Sequence, residues 1–358
     1  MSEGVSIVIC CYKAARLLPQ TLACLATQRF TTTATPAEVI VVDNASPDET
    51  ARVALESWPS DCPIPLRVVH ERTPGLTYAR LRGIAEARYE IVSFVDQDNR
   101  VSPDWIETVA KLMAEHCEVG ACGGQTEATS DEVLPSWFEQ FQNYYAVGPQ
   151  GKDAGDITDT RGYLWGAGLC LRKSAWQMLS ERQFRFNLYD RRGQELSAGG
   201  DAELCYALRL TGWRLWYEPR LKMHHFMTTD RLNWSYLRRV SRGFGVATTG
   251  LDSYEIAIKG VPSNSMERLR RTWSWQTLAT IKALLRKPLK VLRASLSGME
   301  GDADVLRIEN LWGRLLDLVR NRGNYVFRLR RLRTHLQTPW LASQEPTRTS
   351  DSERPGNG

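Results

Sequence analysis

The sequence predicts an α/β fold, with a mostly parallel sheet covered by helices on both faces and a helical C-terminal extension. Three observations predict it. Strand-like and helix-like segments alternate through the first hundred residues. Each strand is a continuous apolar run rather than an alternating one, which marks a sheet buried on both sides. Beyond Leu232 the hydrophobic pattern becomes wholly helical.

Taken in order, Val5 to Cys10 is the first apolar, β-rich run, and Arg16 to Thr27 carries Leu17, Leu18, Leu22 and Leu25 at helical spacing. Val39 to Val42 is a second strand ending on Asp43. Pro47 to Trp58 then reads as a helix with Asp48 and Glu49 in its first turn, where carboxylates suit the helix dipole. Leu66 to Val69, Leu76 to Ala87 and Ile91 to Val95 continue as strand, helix and strand, and a further helix runs from Pro103 to about His116. Gly120 to Gly123 reads as a short strand. Gln125 to Asp159 has no sustained period and reads as a long loop region with a short aromatic helix near Trp137 to Tyr145. Order returns at Tyr163 to Leu171, at a helix from Asp201 to Leu210, and at a strand from Trp213 to Tyr217 that Pro219 is expected to close.

In the extension, Leu269, Trp273, Thr277, Ile281, Leu284 and Leu285 make one apolar helical face, and Val305, Ile308, Leu311, Trp312, Leu315, Leu316 and Val319 another. The polar stretch 341–358 reads as a disordered tail. The expected division is a catalytic domain over 1–231, a basic helical extension over 232–340, and the tail.

Composition bounds the function classes. The chain of 358 residues is 42% hydrophobic and 24% charged, ordinary values for a globular protein. No run approaches the roughly 20 apolar residues of a membrane span, and no basic-then-apolar leader precedes the first strand. The eight cysteines include no Cys-x-x-Cys pair, so free thiols and a cytoplasmic location are expected. The net charge of +5 hides an asymmetry: from Pro262 onward there are 18 Lys and Arg against 9 Asp and Glu. Basic character therefore belongs to the C-terminal third, a candidate for peripheral contact with an anionic membrane at its inner face. No nucleic-acid-binding module accompanies it.

The most informative stretch is Tyr89 to Asn99, where a run of β-formers breaks into two carboxylates one residue apart, Asp96 and Asp98. Ligands of open α/β sheets bind at that edge, and two such acids can hold a divalent cation that grips a diphosphate. A polar turn, with Asp96 capping the next helix and Asp98 solvated, is the competing reading for an isolated Asp-x-Asp. The loop after the first strand is Cys11-Tyr12-Lys13, without the glycine fingerprint of a dinucleotide site, and no phosphate-loop motif is present. A nucleotide can bind by another scheme, with Asp43 accepting from the imide N–H of a uracil-type base, Tyr12 lining its face and Asp96 reaching the ribose.

Val5-Ser-Ile-Val-Ile-Cys-Cys-Tyr12, Val41-Val-Asp-Asn-Ala-Ser46, Pro74-Gly-Leu-Thr-Tyr-Ala-Arg80 and Phe94-Val-Asp-Gln-Asp98 together resemble the successive signatures of family 2 glycosyltransferases of the GT-A fold, of the bacterial exopolysaccharide type. The likeness continues through Trp165-Gly-Ala-Gly168 and Gly199-Gly-Asp-Ala-Glu-Leu204 and covers roughly residues 4 to 230. It implies a Rossmann-like, mostly parallel sheet. It also implies that Tyr12 and Asp43 hold the base, that Arg80 lies near the diphosphate or orients the acidic motif, and that Asp96 contacts ribose and metal. Asp98 would ligate Mg2+ or Mn2+, and Asp201 would be the general base. Asn44 and Gln97 fall in the same donor-binding set, although Gln97 either touches the sugar or only fills its turn. Two positions depart from the family pattern: Gly200 stands where an acid usually precedes Asp201, which leaves open whether Glu203 shares its duty, and Leu81 stands where Asn is frequent.

Of the adjacent pair His224 and His225, strand alternation sends one to each face, and His225 is the expected metal or diphosphate ligand with His224 as fallback. Asp201 also has a plain alternative, that of a helix N-cap. Trp165 to Gly168 would bring backbone close to the sugar or acceptor, and Trp137, Tyr163 and Trp165 are candidates for stacking on sugar faces. The expectation is an inverting, metal-dependent glycosyltransferase moving a sugar from a nucleotide-sugar, a UDP-sugar first, to a hydroxyl of a glycan or lipid-linked saccharide in polysaccharide biosynthesis. The alternatives are a GDP- or dTDP-sugar donor with a protein or small-molecule acceptor, a nucleotidyltransferase, and a non-catalytic lectin-like protein.

Overall fold

The chain runs β1 (Ser2–Cys11), α1 (Leu18–Ala26), β2 (Ala37–Asp43), α2 (Thr50–Glu56), β3 (Leu66–His70), α3 (Leu76–Glu86), β4 (Tyr89–Phe94), β5 (Asn99–Val101), α4 (Trp105–Glu115) and β6 (Val119–Thr129). It continues through α5 (Phe138–Phe141), a 3-10 turn (Gln142–Tyr145), β7 (Gly155–Asp156), β8 (Cys170–Arg172), α6 (Lys173–Glu181), α7 (Gly200–Leu210) and β9 (Arg214–Phe226). The helices α8 (Trp234–Lys259), α9 (Ser265–Arg270), α10 (Trp273–Leu285), α11 (Ala303–Arg320) and α12 (Arg322–His335) follow. This computed structural model describes residues 2–31, 35–188, 199–260, 262–286 and 299–336; the expected tail over 341–358 lies outside them.

One sheet orders the strands β3-β2-β1-β4-β8-β6-β9-β5, with β7 paired to β9. β3, β2, β1 and β4 are parallel, in keeping with their largely apolar runs. β8 is antiparallel to both neighbours, and β5 is antiparallel to β9. Val5, Ile7, Ile9, Val39 and Val41 pack into the core on one face, and Val8, Ile40, Val42, Val92 and Phe94 into that on the other. α4 shows why its sequence is helical: Trp105, Ile106, Val109, Leu112 and Met113 form one buried stripe. The fully buried Trp105 spends its indole N–H on Ser93 Oγ at 3.0 Å.

Two expectations are corrected. β6 extends to Thr129 and takes in residues assigned to a loop, because β9 offers a partner along its length from Arg214 to Phe226. β9 does not close at Pro219. The register jumps from Gly123↔Tyr217 to Gln125↔Lys222, so Pro219 sits in a bulge where its missing N–H costs no ladder bond.

The extension packs on itself and on α7. A Cβ on Gly245 of α8 would meet Asn310 O at 1.9 Å, and one on Gly313 of α11 would meet Arg242 O at 2.0 Å. The two helices thus cross at their glycines. Glu309 receives both Arg238 and Arg242, and Arg314 pairs with Asp252. The apolar faces expected of the extension are only partly covered: Val305, Ile308 and Leu284 are buried, while Leu269, Ile281, Leu285, Trp312, Leu316 and Val319 are exposed.

Candidate active site

The tips of β1, β2 and β4 are tied together. Asn44 N–H donates to Cys11 O at 2.9 Å, and Tyr12 N–H donates to Gln97 Oε1 at 3.1 Å. Thr21 Oγ1 donates to Gln97 O at 2.9 Å, so Gln97 holds the loop of the first strand through its side chain and α1 through its backbone. These tips open on a cavity of about 820 Å³, which Tyr12, Asn44, Arg80, Asp96, Gln97, Asp98, Asp201, His225 and Arg231 all help to line.

Tyr12 lines the cavity and is 47% exposed, with Lys13 Nζ over its ring at 5.5 Å from the centroid. Asp43, at the end of β2, is buried and is not among the residues that line the cavity: its carboxylate accepts the Ser46 N–H at 3.1 Å and lies 3.2 Å from His70 Nδ1. Asn44 closes the neighbouring loop, donating to Thr73 O and Glu71 O and accepting the Gly75 N–H at 2.8 Å. Its side chain thus shapes the loop around the cavity. Cys10 also lines the cavity, and burial pushes its thiol up to about 12, so it stays protonated at neutral pH.

Asp98 is buried, and the strand register explains what surrounds it. Asn99 pairs with His225 across β5 and β9, which brings the imidazole beside Asp98. His225 Nε2 lies 3.6 Å from Asp98 Oδ2, while Nδ1 lies 3.0 Å from the Tyr145 carbonyl. A carbonyl can only accept, so Nδ1 carries the proton and Nε2 presents its lone pair to the cavity. His224 points to the opposite face, exposed and 3.8 Å from Glu127. Arg231 Nη1 reaches both groups, at 2.9 Å from Asp98 Oδ2 and 3.3 Å from His225 Nε2. Burial opposes the charge on Arg231, but Asp98, Tyr236 and Asp96 outweigh it and its pKa is raised.

Asp201 stands in the first turn of α7, and the cap position belongs to Gly199 at φ 110, a left-handed conformation that suits glycine. A Cβ on Gly199 would also meet Ala247 of α8 at 2.9 Å, so glycine here lets α7 approach the extension. Both Asp201 oxygens are oriented: Oδ2 accepts the Gly166 N–H at 2.7 Å and Oδ1 the Ala202 N–H at 2.9 Å. Arg80 threads past the same glycine, with its Cζ 5.7 Å from the Phe94 ring centroid. Glu203 turns away. It is fully buried and accepts from Asn187 N, Asn187 Nδ2, Leu188 N and the Tyr254 hydroxyl, all within 3.0 Å. Burial raises its pKa, and its place is structural.

Trp137 is buried among Phe141 and Trp234, away from the cavity lining, whereas Tyr163 and Trp165 line it with Arg161 stacked on both, 4.6 and 4.4 Å from their ring centroids. Sequence reasoning missed Arg161 and the far wall. That wall is one face of α8, where Tyr236, Val240, Phe244, Ala247, Thr248 and Leu251 recur at helical spacing. The spacing was visible as a helix signal, but nothing in it says which side faces a cavity.

Residues 6–178 match the family model for glycosyl transferase family 2. Among curated proteins the chain is similar to the glucosyl-dolichyl phosphate glucuronosyltransferase of Haloferax volcanii, 23% identical over 248 residues that cover 67% of this chain and 75% of that one. It is also similar to the chondroitin synthase of Escherichia coli, 30% identical over 123 residues, 34% of this chain and 17% of that one. Among solved structures it is similar in fold to a mannosyltransferase from Pyrobaculum calidifontis in complex with GDP-Man and Mn2+. The TM-score is 0.53 at 16% identity, over 90% of this chain and 87% of that one.

Proposed function

Since the chain belongs to glycosyl transferase family 2 and is a glycosyltransferase, we propose that it is an inverting, metal-assisted enzyme moving a sugar from a UDP-sugar to a hydroxyl of a glycan or lipid-linked saccharide. The observation that carries this reading is the shared cavity, which Asp201 and the Asp98–His225 pair both line. The relatives' names, a dolichyl-phosphate-sugar transferase and a polysaccharide synthase, support the acceptor class and a role in polysaccharide biosynthesis.

Tyr12 would cover the base, and Asp43, with acceptor capacity beyond its two present partners, would take the imide N–H of uracil. Asn44 and Gln97 hold the loops that frame this donor end. Asp96 would meet the ribose and Arg80 the diphosphate.

The donor set suits a divalent cation. Asp98 and His225 offer one carboxylate and one imidazole lone pair, and Asp96 lines the same cavity, yet among the described residues no group of three His, Cys, Asp or Glu side chains is arranged to hold a metal alone. Mg2+ and Mn2+ sites of this kind use one or two carboxylates and complete their shell with substrate phosphates. When bound, such an ion neutralises the charge that grows on the departing nucleoside diphosphate.

Asp201 would take the proton of the acceptor hydroxyl as its oxygen attacks the anomeric carbon from the face opposite the leaving group, which inverts that carbon. The two N–H bonds to its oxygens fix the carboxylate's orientation for this task. Away from the cavity, Leu278, Ile281 and Leu285 of α10 are exposed beside Lys282 and Arg286, with Arg268, Leu269 and Arg270 of α9 nearby in sequence. This face would rest on an anionic membrane surface and bring the cavity to a lipid-linked acceptor. Lys287 and Lys290, further basic residues of the same sequence stretch, lie outside the described residues, and among those residues no helix is long and apolar enough to cross a membrane. Farther along, in the basic helix α12, Arg328 reaches Asp317 and Arg331 donates to Arg185 O, so these two serve contacts within the chain.

A panel of UDP-, GDP- and dTDP-sugars incubated with Mn2+ tests the donor reading through slow release of the nucleoside diphosphate. UDP-sugar hydrolysis is the expected result; release from GDP- or dTDP-sugars alone would move the donor to that alternative, and release from none would sink the reading.

A further inference from the structure

Arg231 makes the contacts that a cation at this site would make. Its Nη1 is 2.9 Å from Asp98 Oδ2 and 3.3 Å from His225 Nε2, and those two atoms are themselves 3.6 Å apart. One cation-sized position is therefore shared by all three, and the guanidinium fills it. The tautomer set by Tyr145 O gives His225 Nε2 a lone pair, which accepts from Arg231 as it would bind a metal.

The backbone of the arginine is held independently of its tip. Arg231 N–H donates to Thr228 O at 2.9 Å, and Arg231 O accepts the Tyr145 hydroxyl at 3.0 Å. Its side chain lines the cavity and keeps 21% of its surface exposed. The guanidinium can thus swing into the cavity with its backbone in place. A dication and a guanidinium cannot both sit within about 3 Å of one carboxylate without strong mutual repulsion in so buried a place.

We propose that Arg231 is a resident counter-ion of the Asp98–His225 pair, which a divalent cation must displace, and that the displaced guanidinium pairs with the diphosphate of the arriving nucleotide. This deepens the assignment of Asp98 and His225 as metal ligands and rests on it. The consequence is linkage. Alone, the metal must break the Arg231–Asp98 bond without compensation; with a nucleoside diphosphate in the cavity, Arg231 exchanges one anion for another. Metal and nucleotide then each tighten the other's binding by the same factor.

The test is Mn2+ binding, followed by the electron paramagnetic resonance signal of free Mn2+, in the wild-type chain and in Arg231→Met, each alone and with UDP or GDP. Removing a charged hydrogen-bond competitor should tighten Mn2+ binding without nucleotide on the order of tenfold, and the nucleotide should add less in the variant than in the wild type. Arg231→Gln, which keeps a donor without the charge, should shift the same way and serves if Arg231→Met does not fold. Equal or weaker Mn2+ binding by a folded variant, with the wild type still binding Mn2+ in the presence of nucleotide, would overturn the proposal alone. Absence of Mn2+ binding in every protein, even with nucleotide, would remove the metal assignment and the proposal with it.

Discussion

Gly166 N–H donates to Asp201 Oδ2 at 2.7 Å, while the space above the same glycine is taken by the Arg80 guanidinium. A Cβ added at Gly166 would lie 2.3 Å from Arg80 Nη2 and 3.3 Å from Asp201 Cβ. The close approach that glycine permits here is thus made by two side chains that the proposed mechanism uses. Gly166→Ala should push the far end of the Arg80 side chain aside at little cost to folding. We expect turnover to fall on the order of tenfold or more, as when a positioning group is misplaced, with thermal unfolding nearly unchanged. A large drop in unfolding temperature would show instead that the glycine serves packing.

Asp98→Asn should weaken the metal-dependent part of nucleotide binding. Losing a charged partner is worth about 1.5–3 kcal/mol, so calorimetric titration of UDP with and without Mn2+ should show the metal's benefit shrink by roughly tenfold or more. Unchanged metal dependence would remove Asp98 from the cation site.

Glu203 tests the division of labour between the two acids of α7. Glu203→Ala would leave the buried Asn187 and Leu188 N–H groups and the Tyr254 hydroxyl without their acceptor, a loss of about 1–3 kcal/mol for each group left unsatisfied. Burial raises the folded-state pKa of Glu203 above its ordinary 4.5. The folded state therefore binds this proton more tightly, and the group's contribution to stability rises as pH falls from the raised pKa toward 4.5. Denaturant unfolding across that window, compared with Glu203→Gln, should show the wild type gaining relative to the variant on acidification. The opposite slope would contradict the assignment.

Much of this was legible in the sequence because it depends on local pattern. The strands that lead to Asp43, Asp96 and Asp98 are largely apolar and buried, and strand alternation separated His225 from His224 correctly in space. What was not legible depends on long-range register. β9 passes Pro219 because the bulge opposite Gly124 absorbs it. Gln97 earns its position through a bond to Tyr12, 85 residues away. Arg231 stands beyond the end of β9, and nothing local marks its reach to Asp98, 133 positions earlier. The α8 wall follows the same rule, since its apolar stripe could equally have faced a core.

The exposed face of α10 predicts membrane binding that does not depend on the active site. Leu278→Glu with Leu285→Glu, at side chains 65% and 69% exposed, should leave folding intact and abolish flotation of the protein with anionic vesicles. Equal flotation of the double variant would remove this face from the account.

The central claim is that Asp201 takes the acceptor's proton, and Asp201→Asn tests it most directly. The amide keeps the shape but cannot act as a base, so sugar transfer should fall by about 10²–10⁴-fold while nucleotide-sugar affinity, measured by calorimetry on the same sample, stays near the wild-type value. Transfer at the wild-type rate, or loss of donor binding together with transfer, would contradict the account.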